Sequence, residues 1–273
     1  MSGPYISYPP VMHRYSKPVW SHANSEILRI MTLNIAHGAK SGFNQIFLPT
    51  TVIKSNLQNI GSLLLREKPD LVALQEADGP SLWSGNFSHV NYLANNANYP
   101  YAFQGEHVKG LRLSYGTAFL SKTQISDPVS YTFKPSPPTL TKGFVVGTIY
   151  WPGKPNRKID VVSLHLDFFR GSVRKNQVTE LVSKLSKQKN PLIIMGDFNS
   201  GWRVKSPMEV LATKLDLKTY KPEENEIATF PLTNKRIDWI LISREMDFLS
   251  YQVLPDSVSD HKGVLAQLSW QSE

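Results

Sequence analysis

Acids, amides and imidazoles interrupt apolar runs at six places in this 273-residue chain, and these are the residues able to do chemistry. In Ile193-Ile194-Met195-Gly196-Asp197-Phe198-Asn199 a run with the pattern of a buried strand ends in an acid and an amide one residue apart. Where such an end opens on a cleft, Asp197 and Asn199 can steer a water and a phosphate; taken alone, the same residues also suit a strand-to-turn transition. Leu71-Val72-Ala73-Leu74-Gln75 runs directly into Glu76. A carboxylate at the mouth of a buried strand is costly without a partner. Magnesium, which takes one or two carboxylates with waters and phosphate oxygens, suits a single Glu better than zinc does. Turn capping is the plain alternative for Glu76.

In Val161-Val162-Ser163-Leu164-His165-Leu166-Asp167 the two-residue strand period puts His165 and Asp167 on the face of Ser163. A lone His of this kind is more often structural than catalytic, so its weight comes from its company. Asp238, inside Arg236-Ile237-Asp238-Trp239-Ile240-Leu241-Ile242, demands a hydrogen-bonding partner, and a histidine would serve. Asp260-His261 precedes the last apolar run. An Asp that orients an imidazole and stabilises its charged form is a recurring catalytic device. Spacing alone leaves open which Asp faces which His. Asn34 ends the first strand and carries little weight by itself.

The elements that must position these groups are legible from periodicity. Strands are expected at 27–35, 71–75, 101–104, 117–120, 144–150, 159–167, 192–195, 237–242, 248–254 and 264–268. Ile53, Leu57, Ile60 and Leu64 recur at helical spacing, and further helices are expected within 81–99, 173–187 and 207–215. Lys134 to Pro138 is a Pro-rich loop. Many strands with a few interspersed helices fold as two packed sheets covered by helices, an α/β sandwich. Residues 1–26, with Pro4, Pro9, Pro10 and Pro18, read as an extended N-terminal arm laid over a single domain spanning 27–270.

A net charge of +8 and a pI near 9.5 favour an anionic partner. With no cysteine, a disulfide scaffold, a cysteine-ligated zinc and a thiol nucleophile are excluded. No apolar stretch approaches the roughly 20 residues that span a bilayer. The expectation is a soluble monomer, cytoplasmic or exported after removal of a leader.

Taken in order, Leu33-Asn34, Leu74-Gln75-Glu76, Ser163-Leu164-His165, Gly196-Asp197-Phe198-Asn199, Ile237-Asp238 and Ser259-Asp260-His261 resemble the endonuclease/exonuclease/phosphatase superfamily. That superfamily includes pancreatic-type deoxyribonucleases, abasic-site endonucleases, neutral sphingomyelinases and inositol-polyphosphate 5-phosphatases. The resemblance covers about residues 28–269 and implies a four-layer αββα sandwich of two mixed sheets flanked by helices. It implies that Glu76 is the principal ligand of Mg2+, or of Mn2+, with Asn34 and Asp260 close to the metal or the phosphate. Asp197 would orient or deprotonate the attacking water, and Asn199 would hold that water or a phosphate oxygen. His261, oriented by Asp238, would act as acid/base or stabilise developing charge, and His165 would contact the phosphate. Two positions depart from the usual pattern. Lys262-Gly263 follows the Asp-His pair where many members have a Pro nearby, and Asp78 adds an acid after Glu76 that reads as a turn residue. Glu106 and Tyr115 are further substrate-facing candidates.

The implied reaction is metal-dependent phosphoester hydrolysis by in-line water attack. A lipid or headgroup phosphodiester is the favoured substrate, because apolar loops flank the expected site: Trp83 and Phe87 after Glu76, and Phe168-Phe169-Arg170-Gly171 after His165 and Asp167. Peripheral membrane contact is the corresponding expectation. The alternative is a nuclease on DNA or RNA, with Arg170, Arg174, Lys175, Lys184, Lys187 and Lys189 as the basic face, although a solvated helix face explains those charges as well. A phosphorylated small molecule is the remaining substrate class, and a catalytically silent binding module is the least favoured reading.

Overall fold

The computed structural model describes residues 11–14, 26–40, 48–110, 112–224 and 227–271. Its first sheet contains β1 (Val11–Arg14), β2 (Ile27–Asn34), β3 (Leu71–Asp78), β4 (Tyr101–Gly110), β5 (Leu113–Ser121), β12 (Met246–Val253) and β13 (Val264–Trp270), in the order β1-β4-β5-β3-β2-β13-β12. The second contains β6 (Ser126–Thr132), β7 (Gly143–Trp151), β8 (Lys154–His165), β9 (Leu192–Asp197), β10 (Leu217–Thr219) and β11 (Asp238–Ser243), in the order β10-β11-β9-β8-β7-β6. Each sheet is mixed: β2 pairs parallel with β3, and β8 with β9, among antiparallel neighbours. The helices are α1 (Thr50–Glu67), α2 (His89–Asn96), α3 (Gly171–Leu185) and α4 (Pro207–Lys214).

Period-two alternation decides which layer each side chain enters. Leu28, Ile30, Leu71, Ala73 and Phe119 of one sheet meet Ile159, Val161, Ile193, Met195, Ile240 and Ile242 of the other in the central core. The opposite faces serve the outer layers. Met31, Leu33, Val72 and Leu74 pack on Ile53, Leu57, Ile60 and Leu64 of α1, while Val162, Leu164, Ile194 and Leu241 pack on Val178, Leu181 and Leu211 of α3 and α4. Burying each such side chain contributes roughly 1.5–3 kcal/mol, so a one-residue slip of any central strand would expose a full row. The result is the αββα sandwich expected from the sequence.

Several boundaries differ from the periodicity. β6 and β10 carry too little alternation to stand out; they pair at or near the sheet margins with β7 and β11. β1 falls within the expected N-terminal arm and pairs antiparallel with β4, Val11 opposite Gln104; the prolines of that arm lie outside the described residues. β8 ends at His165, so the alternation that put Asp167 on its face stops there. Asp78 is corrected from a turn residue to the last, fully buried residue of β3. The strand reaches it through a bulge between Leu74 and Ala77, where Glu76 adopts φ 52°, and a bulge leaves no mark on residue type. Among the described residues no helix is long and apolar enough to cross a membrane.

Gly196 sits opposite Leu164 in the parallel pairing of β8 and β9, with the Leu164 backbone close against it. Its φ is 153°, and a Cβ there would lie 2.0 Å from the Leu164 carbonyl oxygen. Gly196→Ala should therefore cost about 1–3 kcal/mol or more and lower Tm by roughly 3–10 °C in a thermal melt; an unchanged Tm would contradict this approach.

Candidate active site

The two parallel pairs run to the same end of the sandwich, and register sets their last residues side by side. Asn34 stands beside Gln75 on β2 and β3, His165 beside Asp197 on β8 and β9, and Asp197 opposite Asp238 on β9 and β11. The sheets meet where Asn34 Nδ2 donates to Asp197 Oδ2 at 3.1 Å. Asn199, at φ 49°, turns back so that its backbone N–H donates to Asp197 Oδ1 at 2.9 Å and its side-chain amide to the Leu166 carbonyl at 3.1 Å.

His261 arrives from the loop between β12 and β13. Its Nδ1 lies 2.9 Å from Asp238 Oδ2, which settles the pairing that spacing left open, and its Nε2 lies 3.7 Å from Asp197 Oδ2. The Lys262-Gly263 departure does not disturb this: Lys262 N–H donates to the Thr229 carbonyl, whose side-chain hydroxyl accepts from the Asp238 N–H. Burial would lower the His261 pKa, but the Asp238 and Asp197 carboxylates push it up to about 10. Burial and neighbouring Asp238 push Asp197 up to about 7 against His261. The arrangement is an imidazolium between two aspartates, one of them poised to exchange a proton near neutrality.

Glu76 faces this group from β3. Its Oε2 lies 3.4 Å from His37 Nε2, while Oε1 lies 3.6 Å from Lys142 Nζ and 3.9 Å from His165 Nε2. Burial alone would raise the Glu76 pKa; His37, Lys142 and His165 outweigh it and hold the carboxyl below the usual carboxylate range. Lys142 Nζ lies 3.4 Å from His165 Nδ1. An ammonium only donates, so Nδ1 accepts and the ring proton sits on Nε2, which faces Asp197 Oδ2 at 3.5 Å. Burial and Lys142 keep His165 well below its ordinary pKa, hence neutral. Burial also raises Asp260, with Glu76 adding to it, and Ser259 Oγ donates to its Oδ1 at 3.1 Å.

Charge balance tests whether a cation fits. Carboxylates of Glu76, Asp78, Asp197, Asp238 and Asp260 gather at this end against Lys142 and three imidazoles, those of His37, His165 and His261, with His165 neutral. The excess of hard oxygen donors suits a divalent ion. Asp197, Asp238 and His261 also offer ligand atoms all within 4.8 Å of one another. Asp238 of that trio is already committed to the imidazole of His261, and Glu76 is a further carboxylate that could hold a cation.

The weaker candidates divide. Tyr115 and Trp83 form one wall: the Tyr115 ring packs edge-on against His37 at 4.9 Å, and Trp83 lies 4.8 Å from His37. Asp167 is spent on its loop, accepting from the Phe169 and Arg170 N–H groups and from Thr139 Oγ1. Arg174 donates to the Asp167 carbonyl, and Glu106 pairs with Lys109 and Ser114. Lys142, His37 and Asp78 belong to the group without having been singled out from the sequence as site residues. Lys142-Gly143 just before the apolar run 144–150 was the available sign for the lysine.

The family model for the Endonuclease/Exonuclease/phosphatase family matches residues 31–261. The chain belongs to this family. Structures with the family's architecture include an endonuclease/exonuclease/phosphatase from Beutenbergia cavernae, with TM-score 0.72 and 20% identity over 90% of this chain and 72% of that one. A family protein from Leptotrichia buccalis gives TM-score 0.68 and 17% identity over 89% of this chain and 100% of that one. A mannosyl-6-phosphatase from Bacteroides thetaiotaomicron gives 0.66 and 15% over 89% and 100%. Among curated proteins no relative matches by sequence. Members of the Endonuclease/Exonuclease/phosphatase family are generally phosphoesterases.

In this family member the Asp238 carboxylate holds the proton on His261. Asp238→Asn should bring the imidazole pKa from about 10 toward its ordinary 6.5 or below, read by NMR titration of the His261 ring. Because the folded value exceeds 6.5, the pair's stabilisation is complete below about pH 6.5 and lost as pH rises through about 10, a loss the variant should not show.

Proposed function

We propose that the chain is a divalent-metal-dependent phosphoester hydrolase acting by in-line water attack, with a lipid or headgroup phosphodiester as substrate. The observation that carries the hydrolase reading is the joined set Asn34, Asp197, His261 and Asp238 across both sheets, facing Glu76, Lys142 and His165. Asp197, with its pKa raised to about 7, accepts the proton of the attacking water or orients it. His261 as imidazolium donates to the leaving oxygen or stabilises the charge developing there, and Asp238 keeps it in that state. In this reading Lys142 and the Nε2–H of His165 hold phosphoryl oxygens, and Asn199 keeps Asp197 in position through its backbone N–H. Glu76, with Asn34 and Asp260, would hold Mg2+ or Mn2+, which when bound supplies charge neutralisation at the phosphoryl and leaving oxygens.

The substrate class rests on the rim. Phe168 and Phe169 are adjacent and 60% and 71% exposed, and Leu140 on the facing loop is 45% exposed. Asp167, bonded to Thr139 and to the Phe169 and Arg170 N–H groups, clamps the two loops together, so the apolar tips stand fixed beside the site. Fixed exposed aromatics with basic neighbours suit the interface of a lipid surface. The likeness to a mannosyl-6-phosphatase makes phosphomonoester cleavage the alternative to test alongside nucleic acid.

Assayed side by side with Mg2+, Mn2+ and EDTA, the protein should cleave lipid or headgroup diesters in preference to plasmid DNA. Release of inorganic phosphate from monoesters alone would overturn the diester assignment. His261→Ala and Asp197→Ala should each lower kcat by at least about 10²-fold while far-UV circular dichroism stays native; near-parental turnover in either would refute the site.

A further inference from the structure

His37 is the group at this site that the proposed reaction leaves without a task. It lies three residues beyond Asn34, in a turn where Ala36, His37 and Gly38 all have positive φ (44°, 54° and 73°). Consecutive left-handed residues are disfavoured unless the surroundings impose them. Here the Ala36 N–H donates to Asn34 Oδ1, the Gly38 N–H to the Ile35 carbonyl, and Asn56 Nδ2 to the Gly38 carbonyl. A Cβ at position 38 would lie 2.9 Å from Ile53 Cγ2. The turn is thus held from both sides, and it aims one imidazole at Glu76.

The ring's other nitrogen is equally determined. His37 Nδ1 lies 2.6 Å from Asp78 Oδ1, and Asp78 Oδ2 accepts from Trp83 Nε1 at 2.7 Å. Asp78 is fully buried, and Trp83 and Tyr115 confine the ring on its flanks. The carboxylate keeps a proton on Nδ1 and fixes the ring so that Nε2 faces Glu76, where a cation that displaces the Nε2 proton would meet its lone pair. A buried carboxylate behind an imidazole, with the far nitrogen pointing at an acid, is the arrangement that orients a histidine for a metal ion.

We propose that His37, backed by Asp78 and Trp83, is a direct ligand of the divalent ion anchored by Glu76, and that this nitrogen tilts the site toward Mn2+ over Mg2+. The inference rests on the reading of Glu76 as the metal anchor. Distance favours ligation over a simple ion pair: Nε2 and Oε2 are 3.4 Å apart. A charge-assisted N–H···O bond is about 2.7–2.9 Å, whereas neighbouring donors around an octahedral ion with bonds of about 2.1 Å lie about 3 Å apart. Lys142 and His165 face the other oxygen, Oε1, so Oε2 is left to the side of His37. Imidazole nitrogen is a better donor to Mn2+ than to Mg2+, which takes oxygen and keeps its waters.

The test uses metal-free protein with Mn2+ or Mg2+ alone. Calorimetry should show Mn2+ binding at least about 10-fold tighter than Mg2+, and pulsed EPR of the bound Mn2+ should show the coupling of a directly bound imidazole nitrogen. That coupling should vanish in His37→Gln and persist in His165→Gln, and Asp78→Asn should weaken Mn2+ binding by about 10–100-fold. Bound Mn2+ without nitrogen coupling in the unmodified protein, or coupling that survives His37→Gln, overturns the proposal; the first result needs no variant to fold. Mn2+ binding that is absent, or unchanged in Glu76→Gln, overturns the anchor reading itself, and the role of His37 falls with it.

Discussion

One hydrogen bond joins the halves of this molecule's chemistry: the Asn34 amide on the first sheet donates to the Asp197 carboxylate on the second, across 163 positions of sequence. Everything polar at this end is referred to that contact. On one side Asp197 meets His165 and His261; on the other, Asn34 sits one strand from Gln75 and hence from Glu76. Just below, Gln75 Nε2 donates to Ser163 Oγ and Ser163 Oγ to the Leu74 carbonyl, so a second polar tie crosses between the sheets before the apolar core begins. The packing of two apolar faces fixes the sheet spacing, and the spacing allows these short bonds. A shift of either sheet would separate acid from imidazole before it emptied the core.

Burial then turns geometry into reactivity. Asp197 and His261 are both shifted toward the protonated form, the acid mainly because burial disfavours its charge, the imidazole because the Asp238 and Asp197 carboxylates outweigh burial. Glu76 is kept ionised by a ring of nitrogens. These states are produced by titratable neighbours on six different strands and loops.

Much of this was legible in the sequence where a polar residue broke an apolar run. Asp197, Asp238, His165 and Glu76 announced themselves because burial makes such interruptions expensive, and the family resemblance supplied the order of motifs. The groups that escaped notice lie off the strand periods. Asp78 is presented by a bulge, which slips the alternation by one residue, and His37 by a left-handed turn of ordinary residue types. Lys142 precedes its strand and resembles any surface lysine until the fold buries it. Asp167 failed in the reverse sense: the strand period was extrapolated two residues beyond the strand's actual end.

The order of strands in the first sheet has a consequence for when the molecule becomes competent. β13, the last strand in the chain, lies between β12 and β2, so the earliest long strand waits for the final one to complete its pairing. His261 sits three residues before β13. A growing chain that already holds Glu76, His165 and Asp197 therefore still has β2 unpaired on one edge and no His261 beside Asp197 until residues 261–270 are made. Pairing of the second edge of β2 and delivery of His261 to Asp238 and Asp197 thus depend on one and the same stretch of chain.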